Sequence, residues 1–272
     1  MVDAYTDGDD KEAEDYFQKF EKKLRQAMSS AVEFSDRKVN LARMTAGGEM
    51  ITQAILLDTR NAQHGPGTGF NSRFEASRHW YSVMSMTYLF GVNHDGPTPR
   101  VSDAVARTLD ASPDQIAKLM ETDGDRFVQF ADRAIAERWD WRVVNTPPGL
   151  ELFTSDNPTI WVDYRDTGHF LMLPLSRHQL FVACSRAALR FPQGKRLMMD
   201  EADYANLLGV AAVKAHQWLF SPSEIPFKLV EAAKARWETT PRLSSVMHLH
   251  EWKGNQHARS SEPGFSFLLA VE

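Results

Sequence analysis

Cysteine occurs once in the 272 residues, at Cys184, so no disulfide can form within the chain and any zinc site would need histidine and carboxylate ligands. Long apolar runs are missing too. No stretch approaches the roughly 18 residues of a membrane-spanning helix, and the acidic start has neither the basic region nor the apolar run of a secretory leader. Positive charge is not in surplus either: 31 basic residues face 36 acidic ones. A duplex-binding domain carries a basic excess or stripe that neutralises phosphates. These absences predict a soluble protein of a reducing cytoplasm, with no nucleic-acid and no membrane partner. They leave its oligomeric state open.

The acidic excess is local. Asp3, Asp7, Asp9, Asp10, Glu12, Glu14 and Asp15 precede residue 18, against Lys11 alone. Removing seven from 36 and one from 31 leaves 29 acidic and 30 basic residues, so the remainder is balanced and its charge selects no ligand. At the start of a helix such acids meet the positive end of the dipole, worth about 0.3–1 kcal/mol each. What the chain has in quantity is apolar material: 43% hydrophobic and 11% aromatic residues supply a sizeable core.

Periodicity divides that material. Tyr16, Phe17, Phe20, Leu24, Ala27, Met28 and Ala31 recur at helical spacing and predict an amphipathic helix over 11–32. A second helix is expected over 36–63, weakened at Gly47-Gly48 by roughly 1 kcal/mol per glycine relative to alanine. A third is expected over 74–90. Ser112-Pro113-Asp114 is a helix start, with a capping hydroxyl, a proline at the first helical position and an acid near the dipole. Helices are expected over 113–121 and 124–138.

At Trp139 the period changes from helical to alternating. Strands are expected over 139–144, 150–154, 159–164, 169–173 and 178–184, joined by connections of hairpin length. A helix over 200–219 follows, then strands over 243–252 and 265–271. Helices gathered first and strands later predict an α+β fold, with a helical N-terminal half packed on a mixed, mainly antiparallel sheet. No long linker divides the chain, so residues 1–272 read as a single domain: a helical part over 1–138, then a strand-rich part over 139–272 holding one long helix.

Chemistry concentrates in Phe153-Thr154-Ser155-Asp156-Asn157-Pro158, where four small polar side chains crowd the end of a strand. Such residues close turns by bonding nearby backbone. They also build sites, because a strand end presents side chains to a cleft. On the second reading Asp156 is a carboxylate flanked by Thr154, Ser155 and Asn157, with Arg177 or Arg60 as its charge partner. Glu21 is then a second acid for general acid/base work or divalent-metal binding. On the first, Glu21 pairs with Arg60 across two helices and fixes their docking.

That segment, followed by Leu173-Pro174-Leu175-Ser176 and by an alanine-rich stretch from Asn206 that ends in Phe220-Ser221-Pro222, resembles an uncharacterised bacterial family of domains of unknown function with a TSDNP…PLS signature. Phe20-Glu21 and Ala54-Ile55-Leu56-Leu57-Asp58-Thr59-Arg60 resemble its weaker N-terminal landmarks. The family's usual opening segment of His-Tyr-Val-Pro type is missing here. The resemblance implies an architecture and candidate positions, Ser176 among them, and no reaction.

Other motifs carry less. His248 and His250 lie two apart, on one side if the segment is a strand, with Glu251 and His257 as further metal-ligand candidates; zinc needs three or four ligands. Gly65-Pro66-Gly67-Thr68-Gly69 lacks the Lys-Ser/Thr of a phosphate loop. Cys184 reads as a buried core thiol or, with His178 as its base, as a nucleophile. Trp139, Trp141, Trp218 and Trp237 serve packing or ligand stacking. The sequence designates no cofactor. Its leading functional reading is a small-ligand-binding or hydrolase-type domain with a polar site around Asp156. The alternative is an interaction module of a bacterial stress or phage-response system, contacting its partner through the acidic N-terminal segment or the first helix.

Overall fold

The structure, a computed structural model, describes residues 11–38, 40–60, 66–67, 69–85, 138–164, 168–192, 197–215, 218–239 and 264–271. The helix expected over 113–121, all but the last residue of the one expected over 124–138, the end of the one expected over 74–90, the strand expected over 243–252 and the candidate ligands His248, His250, Glu251 and His257 lie outside the described residues.

Five helices, a five-stranded sheet and two two-stranded ribbons make up the described fold, which is α+β with three helices ahead of the strands. Helix α1 spans Lys11–Phe34, α2 spans Leu41–Thr59 and α3 spans Arg73–Met84. Asn40 caps α2, its side-chain oxygen accepting from the Arg43 N–H at 2.9 Å and so satisfying one of the orphan amides of the first turn. Gly47-Gly48 stays helical. A Cβ at Gly47 would overlap Nε1 and Cδ1 of Trp141, so the glycine lets the indole lie directly on the helix backbone.

Strands β1 (Trp139–Asn145), β3 (Ile160–Tyr164), β4 (Gly168–Ser176), β5 (Gln179–Ser185) and β7 (Leu197–Met198) form the sheet in the order β3-β4-β5-β1-β7. All pairings are antiparallel except β1 with β7. Leu180–Cys184 is buried without a break, the pattern of a central strand covered on both faces.

One face carries Trp141 and Phe181, with ring centroids 5.6 Å apart, and meets α2. The other carries Val144, Phe170, Met172, Val182 and Cys184 and packs against α4 (Glu201–Lys214) and α5 (Phe227–Thr239). Asp200 and Asp203 close a reciprocal capping box at the start of α4. The buried Asp203 carboxylate also accepts from the Ser266 N–H at 2.7 Å and its hydroxyl at 2.6 Å, docking the C-terminal segment on the helix.

Beside β5, strand β1 has a second edge that β7 covers only at Val144 and Asn145. Side chains from the helical half answer part of the remainder. Ser35 Oγ accepts the Val143 N–H at 2.8 Å, and the Arg43 guanidinium donates to the Trp141 carbonyl at 2.6 Å. Arg43 is 3% exposed, reaches Asp140 at 3.2 Å and lies over the Trp141 ring, 5.0 Å from its centroid.

Several boundaries differ from expectation. The strand expected over 150–154 shrinks to β2 (Thr154–Ser155), which pairs with β8 (Leu219–Phe220) outside the main sheet. The Leu152 N–H instead donates to the Arg177 carbonyl at 2.6 Å. The strand expected over 265–271 is confined to β9 (Leu269–Ala270), paired with β6 (Leu189–Arg190). Phe265 and Phe267 are buried through a turn rather than through alternation. The helix expected over 200–219 ends at Lys214, because Ala215 turns to an extended backbone. Helix α5 was not anticipated.

Candidate functional site

The TSDNP segment divides by burial. Ser155 and Asn157 are buried, and Ser155 Oγ both donates to the Asn157 carbonyl at 2.6 Å and accepts the Asn157 N–H at 3.2 Å, closing a tight local turn. The Asn157 side-chain amide donates to the Lys214 carbonyl at 3.4 Å, beside the last turn of α4. Neighbouring Thr159 Oγ1 donates to the Ala54 carbonyl of α2 at 3.3 Å. These groups are satisfied inside the fold.

Asp156 faces β8. Its carboxylate accepts the Trp218 N–H at 3.2 Å, while its own N–H donates to the Trp218 carbonyl at 3.2 Å. The reciprocal pair extends the β2–β8 ribbon by one residue. Thr154 pairs with Phe220 across this ribbon. Trp218 and Phe220 are 61% and 52% exposed, whereas Leu219 between them packs on the core. Alternation along a strand puts the two aromatics on the same outer side.

A cleft of about 470 Å³ opens beside the ribbon, bounded by Leu152, Phe153 and Thr154, by Pro174, Leu175, Ser176 and Arg177, and by Phe220, Ser221 and Pro222. Phe153 is fixed from behind by an edge-on contact with Tyr204, centroids 5.5 Å apart. The Tyr204 hydroxyl donates to the Glu151 carbonyl at 2.7 Å. Burial and the nearby Glu151 charge push this phenol up to about 12, so it remains a donor near neutral pH.

Of the candidates read from the sequence, Thr154, Ser176 and Arg177 border this cleft together. Arg177 is paired with Glu151 at 3.5 Å. Arg60 is paired with Glu21 at 3.6 Å, joining α2 to α1, and neither lines the cleft. Ser176 Oγ donates to Gln179 Oε1 at 3.4 Å and accepts the His178 N–H at 3.3 Å. Sequence reasoning did not assign Phe220, Ser221 and Pro222 to the site. Their signal was an aromatic followed by a breaker, beyond the end of an apolar helix.

Cys184 is fully buried, and burial, aided by the Asp140 charge, pushes its thiol far above the ordinary range. His178 sits at the far end of β5, its Nδ1 3.3 Å from the Leu150 carbonyl. Six residues of strand separate the two by about 20 Å, so the Cys184–His178 nucleophile is excluded. Trp139 and Trp141 are core residues. Among the described residues no group of three or more His, Cys, Asp or Glu side chains is arranged to hold a metal ion, and no helix is long and apolar enough to cross a membrane.

Comparison of the chain with protein-family models, with curated proteins and with solved structures finds no match.

Proposed function

We propose that the chain is a small-ligand-binding domain whose site is the cleft between residues 152–154, 174–177 and 220–222. The observation that supports this reading is convergence: three segments far apart in the sequence border one cleft. Its size falls within the roughly 300–1,000 Å³ of small-ligand sites, and apolar walls with a few polar groups are their usual composition. The same segments carry the resemblance to the TSDNP…PLS family. Bacterial membership of that family and a cytoplasmic location belong to this proposal and rest on that resemblance and on the lone cysteine.

Hydrolysis asks for a nucleophile beside a base. The side-chain acceptor next to Ser176 Oγ is the Gln179 amide oxygen, which takes up no proton near neutral pH. Binding is therefore preferred over a hydrolase-type reaction. Asp156 serves by holding the ribbon that carries Phe220, and Glu21 and Arg60 serve by docking α1 on α2. The interaction-module alternative draws on the acidic N-terminal segment, of which residues 1–10 lie outside the described residues, or on an apolar face of the first helix, where Phe20, Ala27 and Ala31 are buried within the fold.

A fragment panel followed by two-dimensional amide NMR on the full chain tests the reading. Binding fragments are expected to shift the amides of Phe153, Thr154, Ser176, Arg177 and Phe220 as one group. A silent panel, or shifts that map elsewhere, overturns it.

A further inference from the structure

Granted the ligand-binding reading, we propose that the cleft takes a singly charged carboxylate carrying a flat apolar body, with the carboxylate at Arg177 and the body against Phe220. The charge inventory sets the sign. Arg177 is the only ionisable residue among those lining the cleft. Its side chain is 72% exposed, and among the described residues its one charge partner is Glu151, reached by a single nitrogen at 3.5 Å. A guanidinium has five N–H donors in a planar fork, so most of this one's capacity is open to a ligand. A long, exposed ion pair is worth about 0–1 kcal/mol, whereas a bidentate carboxylate offers two shorter charge-assisted bonds to the same group.

The count sets the magnitude of the charge. A phosphate monoester carries about −1.5 to −2 near neutral pH and is commonly met by several cations or by a helix N-terminus. One guanidinium lines this cleft, and none of its lining residues belongs to a helix. A carboxylate, with one charge and two coplanar oxygens, matches that supply.

The walls define the rest of the ligand. Phe220 is half exposed, and Pro174, Leu175 and Pro222 continue an apolar surface beside it. A flat apolar body laid there removes area from water on both partners, at about 25 cal/mol per Å². Thr154 lies opposite Phe220 in the ribbon, and its hydroxyl makes no hydrogen bond within the described residues, which leaves it to meet a polar group on the ligand.

The test uses three probes on the full chain: N-acetyl-phenylalanine, its primary amide, and phenyl phosphate, titrated by amide NMR and calorimetry. The acid is expected to bind at the cleft at least about tenfold more tightly than the amide, a difference of 1.4 kcal/mol. Arg177→Met should abolish that preference while leaving the amide's affinity unchanged. Phe220→Ala should weaken acid and amide alike. Equal binding of acid and amide in the cleft overturns the carboxylate assignment and leaves the binding reading standing. Tighter binding of phenyl phosphate overturns the single-charge argument. A cleft untouched by all three probes overturns the ligand class proposed here, and if the fragment panel is silent as well, the binding reading falls with it.

Discussion

The seam between α2 and β1 and the ribbon of β2 and β8 are both built from aromatic and polar side chains, yet they treat them oppositely. At the seam Trp141 is buried against Gly47, and Arg43 meets Asp140, the Trp141 carbonyl and the Trp141 ring. On the ribbon Trp218 and Phe220 are exposed, and Arg177, which lines the adjoining cleft, has one long contact. Polar groups answered within the fold specify structure, because leaving one of them buried and unanswered costs about 1–3 kcal/mol. Groups with unused capacity beside exposed apolar surface are the ones a ligand can reward. The contrast separates the TSDNP residues as well: Ser155 and Asn157 belong with the seam, Thr154 with the cleft.

Substitutions can break this contrast. Arg43→Met should cost the most, about 2–4 kcal/mol by urea denaturation, since it removes a buried guanidinium from Asp140, the Trp141 carbonyl and the Trp141 ring and leaves Arg142, at 3.3 and 3.0 Å, as the remaining guanidinium partner of both acceptors. A loss under 1 kcal/mol would place the seam with the surface. Gly47→Ala should follow at about 1–3 kcal/mol, because the new methyl must displace a packed indole. If it stabilised the protein, as alanine in a helix otherwise does, the close approach would be wrong. Ser155→Ala should cost about 1–2 kcal/mol by removing both bonds of the turn, with the thermal midpoint as readout. Phe220→Ala should change stability by less than about 0.5 kcal/mol while weakening every cleft ligand. A large drop in midpoint would return the ribbon to the core.

Long periodic elements were legible in the sequence. Helix α1 and strands β1, β3, β4 and β5 lie close to their expected bounds, because each buries a regular stripe or a continuous apolar run, whereas α2 was placed correctly but begins only after its Asn40 cap rather than at Asp36. Short pairings were not legible. The two-residue strands β2 and β8 repeat no pattern and form only because distant segments meet. Helix α5 escaped because its described buried residues are Leu229 and Ala233, one turn apart, while Phe227 at its start is exposed. In the cleft, Thr154 and Ser176-Arg177 were legible as polar residues near strand ends. The wall at Phe220 depends on where the chain goes after α4, which no local pattern encodes.

The side chains that answer the free edge of β1 have a further consequence. Ser35 and Arg43 occupy hydrogen-bonding positions that a neighbouring strand would otherwise take. The helical half thus acts as a guard on the sheet. A fragment beginning near Arg138 would free the Val143 N–H and take one of two donors from the Trp141 carbonyl, opening part of this edge to cross-chain pairing, the hazard that bare edges pose. Such a fragment should assemble into β-rich aggregates, and the first helices owe part of their worth to keeping this sheet from adding strands.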